Sequence, residues 1–154
     1  MALLLSACQP HERAPAPAGH PPGDTPATFD STGPEGAIDA VRRYYGAIDG
    51  RDFRAAYALW ARDGTASGKT FEEFAAGFAR TAHASVEITG PVAQEGAAGS
   101  SYAEVPVRVQ ATLTSGEVQR FEGRYVLRRV NDVPGATPEQ LRWHIDSARL
   151  SATP

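Results

Sequence analysis

The stretch AIDAVRRYYGAIDGRDFRAAYALW, residues 37–60, contains the clearest periodic pattern in the chain. Its apolar residues recur at intervals of three and four, which predicts two helices that each have one apolar face. The first face consists of Ile38, Val41, Tyr45 and Ile48, with Tyr44 at its border. Asp49-Gly50 predicts the end of this helix. The second face consists of Phe53, Ala56, Tyr57 and Trp60.

Both flanks of this stretch contain helix signals. Thr32 and Glu35 have the spacing of a capping box, with Pro34 in the first turn. Thr70 and Glu73 repeat that spacing and predict a third helix. Its apolar face would consist of Phe71, Phe74, Ala75 and Phe78.

After residue 85 the apolar residues alternate with polar ones, which predicts strands. The alternating segments are 86–89, 104–111, 120–128 and 141–146. Pro106 predicts an edge strand or a bulge, and Thr114-Ser115-Gly116 predicts a hairpin turn. Helices followed by antiparallel strands indicate the α+β class, with N-terminal helices packed on one face of a curved sheet.

Composition divides the chain of 154 residues into three parts. Residues 1–8 are apolar up to Cys8, residues 9–33 are rich in proline and predict a disordered spacer, and residues 34–152 predict the folded domain. The net charge of −3, with both signs mixed along the chain, does not indicate a nucleic-acid partner. A single cysteine excludes an internal disulfide and a cysteine-based metal site.

Two segments resemble the nuclear transport factor 2-like superfamily, which includes ketosteroid isomerase and the polyketide cyclases. Residues 37–60 are similar to the two opening helices of bacterial members, and LRWHIDSARL, residues 141–150, is similar to their closing strand. The resemblance implies a cone-shaped α+β fold, related to the cystatin shape, in which helices cap the open side of a curled sheet. It also implies a pocket between helices and sheet.

Six aromatic residues would point into that interior. They are Tyr45, Trp60, Phe74, Phe78, Tyr125 and Trp143. One interpretation is that they only form the core, since aromatic stripes at helical spacing usually pack. The alternative is that several of them line a cavity for a small apolar ligand, with tyrosine hydroxyls and tryptophan N–H groups as polar contacts.

The sequence offers few catalytic residues for such a pocket, and we assign none. The weak candidates for a base are Asp146 and His83. Alternation places His144 and Asp146 on the strand face opposite to Trp143 and Ile145, away from the interior. His83 lies between the third helix and the first strand. The spacing of these residues does not indicate a metal site, and no motif indicates a cofactor.

Arg120, Arg124 and Arg128 fall on one side of a predicted strand, with Glu122 among them. We expect ion pairs on a solvated sheet face, with Glu104 or Asp146 as partners. The alternative is a partner-binding surface, and the resemblance implies that a homodimer could form through this face.

Leu5-Ser6-Ala7-Cys8 resembles a bacterial lipobox, which implies cleavage before Cys8 and acylation of that cysteine. The protein would then be a lipoprotein anchored in the bacterial cell envelope. Gln9 after the cysteine suggests the outer membrane, facing the periplasm. A signal peptide needs a basic start and a longer apolar stretch than residues 2–7, so we expect the true translation start to lie upstream. The alternative is a cytoplasmic protein with a chance match.

The sequence therefore favours a lipid-anchored envelope protein with a non-catalytic domain that binds a small ligand or a protein. The second hypothesis is a small pocket enzyme of the isomerase, dehydratase or cyclase type, with Asp146 or His83 as base and Tyr45 orienting the substrate. A third is a structural role through the arginine-lined sheet face.

Overall fold

The computed structural model describes residues 31–154. The predicted lipobox and most of the predicted spacer lie outside these residues. Three helices come first: α1 (Pro34–Asp49), α2 (Phe53–Ala58) and α3 (Phe71–Gly77), with a 3-10 turn at Thr65–Ser67. Five strands follow: β1 (Thr81–Ile88), β2 (Ala93–Ala97), β3 (Ser100–Leu113), β4 (Val118–Val130) and β5 (His144–Thr153).

The strands form one antiparallel sheet in the order β1-β3-β4-β5, with β2 also paired to β3. Strand β3 is long enough to pair with both β2, at Ser100–Glu104, and β1, at Val107–Leu113. The α+β architecture with helices on a curved antiparallel sheet is therefore confirmed. Among the described residues, no helix is long and apolar enough to cross a membrane.

Helix α1 supplies much of the core. Ala37, Ala40 and Val41 are fully buried, in one cluster with Leu127 and Ile145 of the sheet. The predicted apolar face of α1 is thus confirmed. Tyr44, predicted at the border of this face, is as deeply buried as Ile48 and so lies within it.

The two predicted capping boxes have different outcomes. In α3, the Glu73 amide donates to Oγ1 of Thr70 and the Thr70 amide donates to the Glu73 carboxylate, as predicted. In α1, the N-cap residue is Gly33, and no side chain caps it. The capping box predicted from Thr32 is therefore wrong. Helix α2 is capped by Asp52, whose carboxylate accepts from the Ala55 amide, and the sequence pattern did not identify this cap.

Pro106 lies in β3 itself, at the centre of the sheet, so the prediction of an edge strand is wrong. Its carbonyl accepts from the Thr89 amide, just beyond the end of β1. In the register of the β1–β3 pair, Thr89 stands directly opposite Pro106, one position past the last ladder pair, Ile88 and Val107. Proline has no N–H to donate back to the Thr89 carbonyl, so this pair has one hydrogen bond instead of two and the β1–β3 ladder ends there.

The sheet continues past β5 through the segment after α2. The Ala61 amide donates to the Ile145 carbonyl at 2.8 Å, and the Ile145 amide donates to the Leu59 carbonyl at 2.8 Å. A register shift between β4 and β5 lies next to this bridge. Trp60, predicted as part of the second helix, is held in this bridge instead and so packs between the helices and the sheet.

Candidate functional site

A cavity of about 730 Å³ lies between the helices and the sheet. We call it the cone cavity. Five of the six aromatic residues that the sequence predicted as pocket-lining are on its wall: Tyr45, Trp60, Phe74, Phe78 and Tyr125. The sixth, Trp143, is buried elsewhere, with the Arg129 guanidinium 5.5 Å from its ring.

Tyr44 and Phe121 also line the cone cavity, and the sequence pattern placed neither among the pocket residues. The Tyr44 contacts are the more extensive of the two. The Tyr44 ring makes edge-to-face contacts with Tyr45, Trp60 and Tyr125, with centroids 5.1 to 6.1 Å apart. It therefore joins the α1 and sheet sides of the aromatic cluster. An apolar helix face recurs at i, i+3, i+4 and i+7, so Tyr44 and Tyr45 both belong to the face that starts at Val41, and the predicted stripe was too narrow.

The hydroxyl groups of Tyr45 and Tyr125 lie 2.6 Å apart and form a buried hydrogen bond. This bond uses one of the two hydroxyl hydrogens, so the other hydrogen remains for a further acceptor. The indole N–H of Trp60 is also buried without a partner of regular geometry in the described residues. The cone cavity thus combines an aromatic wall with one hydroxyl hydrogen of the Tyr45–Tyr125 pair that their mutual bond leaves free.

These tyrosines are neutral at physiological pH. Burial raises the pKa of Tyr45 to about 12, although its bond with Tyr125 lowers it in part. Burial also raises the pKa of Tyr125 and of Tyr44 well above the ordinary value. The indole N–H of Trp60 interacts with the Tyr44 hydroxyl and lowers the pKa of Tyr44 in part. The hydroxyls can therefore donate hydrogen bonds, but none is a ready base.

Both candidate bases lie outside the cone cavity. The His83 side chain is 77% exposed and its Nδ1 lies 3.3 Å from Asp49 Oδ1. The Asp146 carboxylate accepts from the Arg62 guanidinium at 3.2 Å. Trp143 and Ile145 are buried while His144 and Asp146 are partly exposed, so the alternation predicted for this segment is confirmed.

The described wall of the cone cavity contains no carboxylate and no imidazole, and Lys69 is its only charged residue. Elsewhere in residues 31–154, acidic, histidine and cysteine side chains form no cluster that could hold a metal ion.

The predicted ion pairs on the outer sheet face are present in part. Arg124 donates to Glu104 at 2.6 Å, and Arg108 pairs with Glu122 and Glu87. Asp146, by contrast, pairs with Arg62 from the bridging segment. The homodimer through this face stays a prediction, and a salt-sensitive association that Arg124→Glu abolishes would be its test.

No protein-family model and no curated protein matches the chain. Solved structures do. A nuclear transport factor 2-like superfamily protein from Salmonella enterica serovar Typhimurium is 17% identical, with a TM-score of 0.51 over 74% of this chain and 86% of that one. The chain has the nuclear transport factor 2-like fold. The helices that cap the concave side of its sheet enclose the cone cavity.

Two further structures share this nuclear transport factor 2-like fold. A proposed aromatic ring hydroxylase from Novosphingobium aromaticivorans is 20% identical, with a TM-score of 0.54 over 76% of this chain and 91% of that one. A protein from Kribbella flavida is 17% identical, with a TM-score of 0.52 over 76% of this chain and 88% of that one. At these identities the similarity is one of fold, which serves both ligand-binding proteins and enzymes.

Proposed function

We propose that the domain is a non-catalytic binding module for a small apolar molecule that carries one acceptor oxygen. The observation that carries this proposal is the composition of the cone cavity: an aromatic wall, a free hydroxyl hydrogen of the Tyr45–Tyr125 pair, and no carboxylate or imidazole on its described lining. An apolar wall with a few convergent polar groups is the usual character of a small-molecule site.

The enzyme hypothesis has less support. It needs a base within reach of a substrate beside Tyr45. His83 and Asp146 are engaged outside the cavity with Asp49 and Arg62, respectively. The buried tyrosines retain their protons, so they do not substitute for that base.

Calorimetric titration of the full chain with acetonaphthone tests the binding proposal. This probe combines an aromatic body with a ketone oxygen, and ethylnaphthalene is its match without the oxygen. We expect the ketone to bind about fivefold more tightly than the hydrocarbon, the ratio that one net hydrogen bond provides.

A matched pair of variants locates the site. Ala111→Trp places an indole in the cone cavity, which Ala111 lines, whereas Ala97→Trp adds the same side chain to the exposed strand β2. We expect Ala111→Trp to abolish acetonaphthone binding and Ala97→Trp to preserve it. Absence of binding in the wild type, or equal binding by both variants, would overturn the proposal.

We further propose that the protein is a lipoprotein anchored in the bacterial cell envelope through acyl chains on Cys8. Leu5-Ser6-Ala7-Cys8 and the proline-rich sequence after it support this proposal. Several acyl chains on one cysteine give stable anchoring, since each buried CH₂ contributes about 0.8 kcal/mol. The test is the intact mass and membrane partitioning of the protein expressed from its native locus, upstream DNA included. Cys8→Ser, which cannot be acylated, is the control and should stay out of the membrane fraction. An unmodified wild-type protein that begins at Met1 and also stays out of the membrane fraction would refute the anchor.

A further inference from the structure

A second cavity, of about 640 Å³, lies outside the cone cavity. We call it the arginine cavity. It forms where the segment after α2, the end of β4 and the residues before β5 meet. Tyr57, Trp60 and Phe71 give it an apolar wall, and Arg54, Arg62, Arg128 and Arg129 bring four guanidinium groups to its lining. Trp60 borders both cavities.

Three of these guanidinium groups have no carboxylate partner in the described residues. Arg128 donates to Ser100 Oγ, and Arg129 donates to the carbonyls of Thr32 and Val130. Arg54 lies 4.4 Å from the centre of the Phe71 ring and makes no ion pair. On the outer sheet face, by contrast, Arg108 and Arg124 are both paired with glutamates.

The carboxylates of the lining do not balance this charge. Glu139 is already engaged, because its side chain lies 2.7 Å from His144 Nε2 and 3.5 Å from Arg142. Asp63 is the other acidic residue of the lining. Arg62 is held by Asp146. The cavity therefore has a surplus of positive charge beside an aromatic wall.

We propose that the arginine cavity binds a small organic anion with an aromatic body, of the aromatic carboxylate class. Guanidinium groups present paired N–H donors that match the two oxygens of a carboxylate. Arg128 is half-buried and uses only one of its donors within the described residues. Tyr57, Trp60 and Phe71 provide the surface against which the ring of such an anion would pack. This site is separate from the one proposed for the neutral ligand, so either proposal can fail without the other.

Titration of the full chain with naphthoate tests the inference, with the neutral amide naphthamide as the matched probe. We expect naphthoate to bind about tenfold more tightly than naphthamide, the advantage of charge-assisted over neutral hydrogen bonds. Arg128→Gln and, independently, the exposed Arg54→Gln should each weaken naphthoate binding severalfold. Arg43→Gln removes the same charge from the exposed face of α1, where Arg43 pairs with Asp39, and should leave binding unchanged.

Lys69→Gln distinguishes this site from the cone cavity, because Lys69 is the charged residue of that cavity's described wall. We expect this variant to bind naphthoate as the wild type does. Chemical shifts of the arginine Nε–H groups provide a second readout, and we expect naphthoate to move that of Arg128. Loss of naphthoate binding in Lys69→Gln with full binding in Arg128→Gln and Arg54→Gln would overturn the proposal. Equal affinity for naphthoate and naphthamide would overturn it as well.

Discussion

The Tyr45 and Tyr125 hydroxyls form a hydrogen bond of 2.6 Å between residues 80 positions apart in the chain. It joins the C-terminal part of α1 to the concave side of β4, and both side chains are buried. Helices and sheet are thus connected by a polar contact inside an otherwise aromatic cluster. The same pair stands on the wall of the cone cavity, so it bears on both stability and binding.

Removing both of these hydroxyls should cost less than the sum of the two single removals. Tyr45→Phe or Tyr125→Phe leaves the partner hydroxyl buried without its bond, at an expected cost of about 1–3 kcal/mol in the free energy of unfolding. The double variant leaves neither, and we expect its cost to be well below the sum of the single costs. Denaturant unfolding of the four proteins measures this coupling. Tyr102→Phe, outside the cavity, is the control, and strictly additive costs would contradict the expectation.

Stability should fall above pH 10. The pKa of Tyr45 is raised from 10.0 to about 12. An unfolded tyrosine therefore releases its proton near pH 10 while the folded one retains it. The stabilisation is complete below pH 10 and is lost as the pH rises towards 12, in total about 3 kcal/mol for a shift of this size. The free energy of unfolding of Tyr45→Phe should decline less steeply over this range. Parallel pH profiles for Tyr45→Phe and the wild type would refute the assignment.

Gly64 and Gly68 should differ in their tolerance of alanine. Both have positive φ, 91° and 74°. A Cβ on Gly64 would overlap the Tyr57 ring, whereas a Cβ on Gly68 meets open space. Gly68→Ala should therefore cost about 1–2 kcal/mol from backbone strain alone. Gly64→Ala should cost more, because Tyr57 must also move. Thermal or denaturant unfolding compares the two variants, and equal costs would show that the ring yields freely.

The capping box of α3 should influence the cone cavity. Thr70→Ala removes the side chain that caps the Glu73 amide and should cost about 1 kcal/mol in stability. Because Phe74 and Phe78 line the cavity from α3 and its end, fraying of this helix should also weaken acetonaphthone binding. Thr70→Ser retains the cap and is the control. If Thr70→Ala is destabilised but binds acetonaphthone with unchanged affinity, the capping box does not influence the cone cavity.

The sequence predicted those helices, caps and strands that depend only on residues three or four positions apart in the chain. The stripes of α1 and α3, the Thr70–Glu73 box and the alternation from Trp143 to Asp146 all follow from three or four adjacent positions. Strand β2 could not be predicted in this way, because its residues Ala93–Ala97 are all exposed and show no apolar alternation. This strand is defined by its backbone pairing with Ser100–Glu104, and the side-chain pattern of the sequence does not indicate that pairing.

The sequence by itself determined the α+β class, the order of helices and strands, and most of the aromatic set, since amphipathic periodicity is a local property. Tertiary structure alone decided which of these aromatics share a cavity. It brought in Tyr44, left out Trp143, and placed Trp60 in a bridge to Ile145. It also paired Asp146 with Arg62 and gathered Arg54, Arg128 and Arg129 into one lining. The physical reason is register: a bulge between β4 and β5 and the curl of the sheet set which distant side chains meet, and no local spacing encodes either.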